Sequence, residues 1–197
     1  MAVNLSKGGK ISLTKAATDS GVTNPLTKLI VGLGWDTNKY DGGYDFDLDA
    51  SVFMIGESGK VEDQSNFVFY NNKKAPGVEH TGDNRTGEGE GDDEVIKVDL
   101  TQIPANVMKL DFVVTIYDAA ARNQNFGQVS NAFIHVVDEN SGTEFIRYDL
   151  GEDFSIEAAV VVGQLYRHNG EWKFNAIGSG WQDGDLASLC KHYGLDV

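Results

Sequence analysis

The sequence predicts an all-β fold, an antiparallel β-sandwich with a few short helices, and three observations carry that prediction. Short apolar or alternating runs recur at residues 29–33, 46–55, 67–70, 95–100, 110–117, 132–137, 145–148, 160–166 and 172–177, lengths that suit strands better than buried helices. Turn residues separate them, among them Glu57-Ser58-Gly59, Glu139-Asn140-Ser141-Gly142 and Asn169-Gly170. Stretches with helical periodicity are few, which leaves sheet packed on sheet as the way to bury these runs.

Taken in order, residues 3–14 read as an N-terminal hairpin turning at Gly8-Gly9. The start of the 46–55 run alternates strictly, Asp45, Asp47 and Asp49 against Phe46, Leu48 and Ala50. Period two is a strand, so the carboxylates project from one face while the apolar side chains enter the core. Residues 101–107 read as a turn and 118–124 as a short helix. Asn169-Gly170, between Leu-Tyr-Arg-His and Glu-Trp-Lys-Phe, is the strongest hairpin signal, because a type I′ turn needs two positive φ angles. A last helix spans 185–193, with Leu186, Leu189, Cys190 and Tyr193 on one face and Gly194 as its stop.

A chain of 197 residues, 41% hydrophobic with 3 prolines, supports one good core, so a single domain over residues 1–197 is expected. No signal peptide and no apolar run approaching a membrane span of roughly eighteen residues is visible. One cysteine argues against a disulfide scaffold, and the cytosol is the expected compartment. The net charge of −14 argues against direct binding to nucleic acid, whose phosphates demand Lys and Arg. Contact with anionic lipid would have to pass through bound cations.

The acidity is concentrated. Residues 83–94 carry six acids, three glycines and one basic residue, Arg85, for a net −5; residues 41–49 carry four acids, net −4; together they hold −9 of the chain's −14. Such a block is ordinarily a solvated charge run, but this one lies between strand-like segments, and an ordered loop of that charge needs a cation. Asp, Glu, Asn, Thr and glycine-freed carbonyls are hard oxygen donors of the kind Ca²⁺ takes several at a time. Mg²⁺ prefers fewer carboxylates and more water. Zinc and copper want His or Cys, and His80, His135, His168, His192 and Cys190 are dispersed. An EF-hand is excluded: from Asp45 its required glycine falls on Ala50 and its bidentate glutamate on Gly56. Arg85 reads first as a salt bridge within the loop, and Cys190 as a buried small hydrophobe.

No nucleophile elbow, phosphate-binding loop or zinc-protease motif is present, so the chain reads as a non-enzyme. Two alternatives stay open: a metal-dependent phosphohydrolase using shared Asp ligands, and a calcium-dependent membrane-binding module like a C2 domain.

Leu5-Ser6-Lys7-Gly8-Gly9, Gly32-Leu33-Gly34-Trp35-Asp36, Asp45-Phe46-Asp47-Leu48-Asp49-Ala50-Ser51, the block Gly82 to Glu94 and Gly163-Gln164-Leu165-Tyr166-Arg167-His168 together resemble the TerD family of bacterial tellurite-resistance and stress-response proteins. The likeness spans nearly the whole chain, although residues 17–26 are longer than the corresponding family loop. It implies a cytoplasmic β-sandwich that binds two Ca²⁺ ions through acidic loops. It also implies a part in resistance to tellurite, phage and colicins beside other Ter proteins, among them a TerC-type membrane protein that would hold it peripherally at the inner membrane. Carried onto this sequence, the calcium-binding donors are Asp83, Asn84, Thr86, Gly87, Glu88, Asp92, Asp93 and Glu94. Asp36, Asp45, Asp47 and Asp49 are further candidates.

Overall fold

A computed structural model describes residues 1–36, 46–81, 92–150, 156–181 and 184–196. The described strands form two sheets packed face to face. The first runs, edge to edge, β1 (Val3–Asn4), β11 (Thr143–Asp149), β10 (Ser130–Asp138), β3 (Lys28–Asp36), β8 (Glu94–Asp99), β7 (Val78–His80) and β6 (Lys74–Ala75). The second runs β2 (Lys10–Ser12), β13 (Glu171–Trp181), β12 (Ala159–His168), β9 (Lys109–Ile116), β4 (Leu48–Ile55) and β5 (Phe67–Val68). Pairing is antiparallel throughout except between β1 and β11, which run parallel.

The inner faces build one core, with Phe112, Phe145 and Phe174 among its fully buried side chains. Each such side chain contributes about 1.5–3 kcal/mol through removal from water. The hairpin at Asn169-Gly170 forms as expected, with φ of 52° and 81°, and joins β12 to β13. Helix α2 (Ala119–Arg122) lies within the expected 118–124 segment, and 101–107 is irregular turn. Helix α3 (Leu186–His192) begins where Asp185 caps the Ser188 N–H at 2.9 Å and ends before Gly194 at φ 86°.

The N-terminal expectation is corrected. Residues 3–14 do not form a hairpin: β1 joins the first sheet and β2 the second, and the chain continues into helix α1 (Leu13–Asp19). The physical reason is an open sandwich edge. Helix α1 packs against β11 of one sheet and β2 and β13 of the other, burying Leu13, Ala16 and Ala17. An edge closed in this way satisfies apolar groups that a surface hairpin would leave wet.

Strand β4 is buried at all eight positions. Leu48, Ala50, Val52 and Met54 enter the inter-sheet core, while Phe53 and Ile55 on the opposite face enter a second cluster with Leu189, Cys190 and Tyr193 from α3 and the residues after it. The alternation read from sequence is real, but its polar face is covered: Asp49 is 8% exposed and Asp47 half-buried. Asp45 lies outside the described residues.

Candidate functional site

The register fixes which strand ends meet. Asp36 ends β3 opposite Ser130 at the start of β10, and Glu94 begins β8 opposite Leu33. In the other sheet Leu48 begins β4 opposite Ile116, and Ala159 of β12 pairs with both Thr115 and Trp181. Three connections cross between the sheets at this end, from β3 to β4, from β9 to β10 and from β11 to β12. The Tyr117 N–H donates to the Asp47 carbonyl at 2.8 Å and the Phe126 N–H to the Glu157 carbonyl at 2.8 Å. One end of the sandwich therefore collects Asp36, Asp47, Asp92, Asp93 and Glu94. The strand ends that flank residues 37–45, 82–91, 151–155 and 182–183, all outside the described set, lie at that same end.

Each described carboxylate has a definite setting. Asp36 accepts a hydrogen bond from the Asn131 side-chain amide, and Asn131 itself has φ 52° beside a register shift in β10. The Asp93 N–H extends the ladder onto the Leu33 carbonyl at 2.7 Å, while its Oδ2 accepts the Trp35 N–H at 2.9 Å. Asp93 thus stitches the base of the acidic segment to β3.

Asp92 reaches His135. Its Oδ1 lies 2.8 Å from Nε2, and the other ring nitrogen, Nδ1, lies 2.6 Å from Glu144 Oε2. Burial alone would lower the His135 pKa, but the hydrogen bonds and charges of Asp92 and Glu144 outweigh it and the net shift is upward. The approach depends on Gly32, which faces His135 across the β3–β10 pair. A Cβ on Gly32 would stand 2.2 Å from Asp92 Oδ2 and 2.4 Å from His135 Nε2.

Glu94 points the other way. It pairs with Leu33 on the core-facing side of β8 and is 1% exposed, and its Oε2 lies 2.7 Å from Nε2 of the equally buried His80 on β7. That contact is at ion-pair distance but is not directed as a hydrogen bond, and neither ring nitrogen of His80 makes one among the described residues. Trp35 Nε1, also buried, has no hydrogen-bond partner among the described residues.

Asp49 sits on the covered outer face of the second sheet opposite Thr115. Burial, then the charge of Asp49, pushes the Tyr70 hydroxyl up. Of the remaining sequence candidates, Asp45, Asp83, Asn84, Thr86, Gly87 and Glu88 lie outside the described residues, as does Arg85. Among the described residues no group of three His, Cys, Asp or Glu side chains is arranged to hold a metal ion. The described carboxylates are hard oxygen donors gathered at one end of the sandwich, a donor chemistry that suits a hard cation.

Sequence reasoning passed over His80, His135 and Glu144 because the histidines are scattered along the chain. For His80 a signal existed: if segments 78–80 and 94–99 form the arms of a hairpin around the acidic block, His80 falls near Glu94. For His135 the turn at 139–142 brings Glu144 near, but Asp92 comes from the segment leading into β8, far off in sequence and without a local signal.

Comparison with known proteins supplies the relationship. A family profile described as the TerD domain matches residues 1–193. General stress protein 16U of Bacillus subtilis (strain 168) is 58% identical over all of both chains. The tellurium resistance protein TerD of Serratia marcescens is 54% identical, again over 100% of each. The crystal structure of a homologue of telluride resistance protein TerD from Streptomyces coelicolor A3(2) superposes with a TM-score of 0.69, covering 87% of this chain and 99% of that one at 20% identity, a likeness of fold. With the domain profile reaching from the first residue to Tyr193 and full-length identities above one half, the chain belongs to the TerD domain family of tellurium-resistance and stress-response proteins.

Proposed function

We propose that this chain is a calcium-binding, non-catalytic interaction module of the bacterial stress response. Its place would be the cytoplasm, beside other Ter proteins and a TerC-type membrane protein. The observation that carries the reading is the convergence of carboxylate-bearing strand ends, Asp36, Asp47, Asp92 and Asp93, at the end of the sandwich where the acidic segments connect.

Asp93 and Asp92 are held by Trp35 and His135, which fixes the base of the 83–94 segment on β3 and β10. The residues of that segment and of 41–49 would supply the remaining oxygen donors. A bound Ca²⁺ supplies positive charge against the clustered acids and links segments that otherwise repel. A catalytic reading finds less support. Cys190 is buried, with burial and Asp185 pushing its thiol up to about 11, and the site histidines His80 and His135 face carboxylates rather than a hydroxyl or thiol nucleophile. No described helix is long and apolar enough to cross a membrane.

The test is calorimetric titration of chelator-treated protein with Ca²⁺, with Mg²⁺ as competitor and melting temperature followed in parallel. A ligand present at about a hundred times its Kd stabilises by about 2.7 kcal/mol, so Ca²⁺ should raise the Tm by several degrees. Asp92→Asn combined with Asp93→Asn should weaken binding about tenfold or more, the loss of two anionic donors. Absence of Ca²⁺ binding, or binding of Mg²⁺ alone, removes the calcium reading.

A further inference from the structure

Beside the acidic strand ends, on the outer face of the second sheet, lies an open cleft of about 790 Å³, within the usual size range of binding pockets. Its floor is the end of β9 and the start of β4. One wall is the segment 117–125, which includes α2, and the other is the start of α3. Three features set it apart from ordinary surface. Its described lining carries three carboxylates, Asp49, Asp118 and Asp185, and no Lys, Arg or His, with the Arg122 guanidinium at its rim over the Tyr117 ring. Tyr117 and Ile156, 49% and 53% exposed, are two of the three large exposed hydrophobics among the described residues, and both line it. Asp118 and Asn123, which bracket α2, both hold positive φ, at 53° and 52°. Both residue types adopt this conformation readily, and here it turns the chain into and out of the short helix that walls the cleft.

We propose that this cleft is a docking site for an arginine-bearing, otherwise apolar peptide segment of a partner protein. The guanidinium would lie between the Asp118 and Asp185 carboxylates against Tyr70, since the Tyr117 ring already faces Arg122, and neighbouring apolar side chains would cover Ile156 and Leu186. The proposal rests on the interaction-module reading and names the surface and the chemistry through which it acts. Charge selects the occupant: with a net −14 on the chain, nucleic acid, an anionic lipid surface and a second copy are all repelled, whereas a cationic segment is drawn in. Arginine is favoured over lysine because its planar group both stacks on rings and forks onto carboxylates. The chain shows that preference itself, since the Arg122 guanidinium stands 5.1 Å from the centre of the Tyr117 ring.

Asp49 is also one of the calcium candidates read from the sequence, so the test is made on the full chain in millimolar Ca²⁺ and about 0.15 M salt, where exposed charges more than about 8 Å apart are largely screened. Acetyl-Leu-Arg-Leu-amide is titrated into ¹⁵N-labelled protein, with the Lys and Gln analogues alongside. The expected result is saturable shifts of the Tyr117, Asp118, Ile156 and Leu186 amides, strongest for the Arg peptide and absent for the Gln peptide. Asp118→Asn, which tolerates the positive φ, combined with the exposed Ile156→Ser should weaken binding about tenfold, as loss of a central contact does. Glu57→Gln, in the turn after β4 at the far end, removes the same charge and should leave affinity unchanged. Shifts confined to residues 83–94, equal loss in the Glu57 variant, or no shift in the cleft at millimolar peptide overturns the proposal. Calcium binding measured on the same samples separates the two readings: an intact calcium site with a silent cleft sinks the docking site alone, and a responsive cleft without calcium binding sinks the calcium reading alone.

Discussion

Gly32 makes the room in which two side chains of the acidic end meet. With no side chain there, the Asp92 carboxylate lies over β3 and meets His135 on the neighbouring strand. Both obstructing groups are ends of flexible side chains, so Gly32→Ala should fold with its core intact but part Asp92 from His135. The His135 pKa should then fall from its raised value, because the burial that lowers it remains while one of the two carboxylates that raise it is withdrawn. An NMR titration of the His135 ring protons reads this directly; a pKa unchanged by the substitution would mean that Glu144 alone holds the ring. The motif Gly32-Leu33-Gly34-Trp35-Asp36 is visible in sequence, yet nothing local says which of its glycines admits a carboxylate. That follows from the partner opposite Gly32 on β10.

Among the elements, α3 illustrates how a strand pattern and a helix pattern complete one another. Its apolar stripe was legible from spacing, and so was its Gly194 stop. What it covers was not: the stripe closes on Phe53, Val113 and Val161 of the second sheet, which is why β4 shows no exposed face. Beneath it Asp111, 6% exposed, accepts hydrogen bonds from Gln164 at 2.6 Å and from the Tyr193 hydroxyl at 2.7 Å. Tyr193→Phe keeps the ring stacked on Phe53, now at 4.2 Å, but leaves a buried carboxylate oxygen short of a donor. Denaturant unfolding should show a loss of about 1–3 kcal/mol.

The same carboxylate has a pH signature. Burial raises the Asp111 pKa, and the bonds from Gln164 and Tyr193 only partly offset it. Between the unfolded value near 4 and the raised folded value, the native state binds more protons than the unfolded state, so this group's contribution falls as pH rises through that window. Asp111→Asn removes that proton uptake. Its stability relative to the parent chain should therefore increase with pH across the window, and a difference independent of pH would show that Asp111 titrates normally.

At the scale of the whole molecule, charge and core are segregated. Residues 41–49 and 83–94 hold −9 of the net −14, and the strand ends flanking them meet at one end of the sandwich. Repulsion of that kind is screened by salt, because the Debye length falls from about 30 Å at 0.01 M to about 8 Å at 0.15 M. Chelator-treated protein should melt at higher temperature as NaCl is added over that range, and Ca²⁺-saturated protein should respond less. A Tm flat with salt in both states would mean that the acidic segments carry no repulsive cost in the native state.

By itself the sequence determined most of the longer strands, the Asn169-Gly170 hairpin, the last helix and the acidic, oxygen-rich character of the candidate site. Each of these is written in neighbouring residues through period-two alternation, helical spacing, turn chemistry and charge density. The tertiary structure alone decided that α1 closes a sandwich edge in place of a hairpin and that Asp49 faces a covered surface. It decided too that Asp92 and Glu94 are met by His135 and His80, and that a cleft opens between α2 and α3. Those outcomes depend on which strands pair and what lies across the layer, and apart from His80, which a hairpin between its strand and the next would have placed near Glu94, such contacts join residues whose sequence separation leaves no local trace.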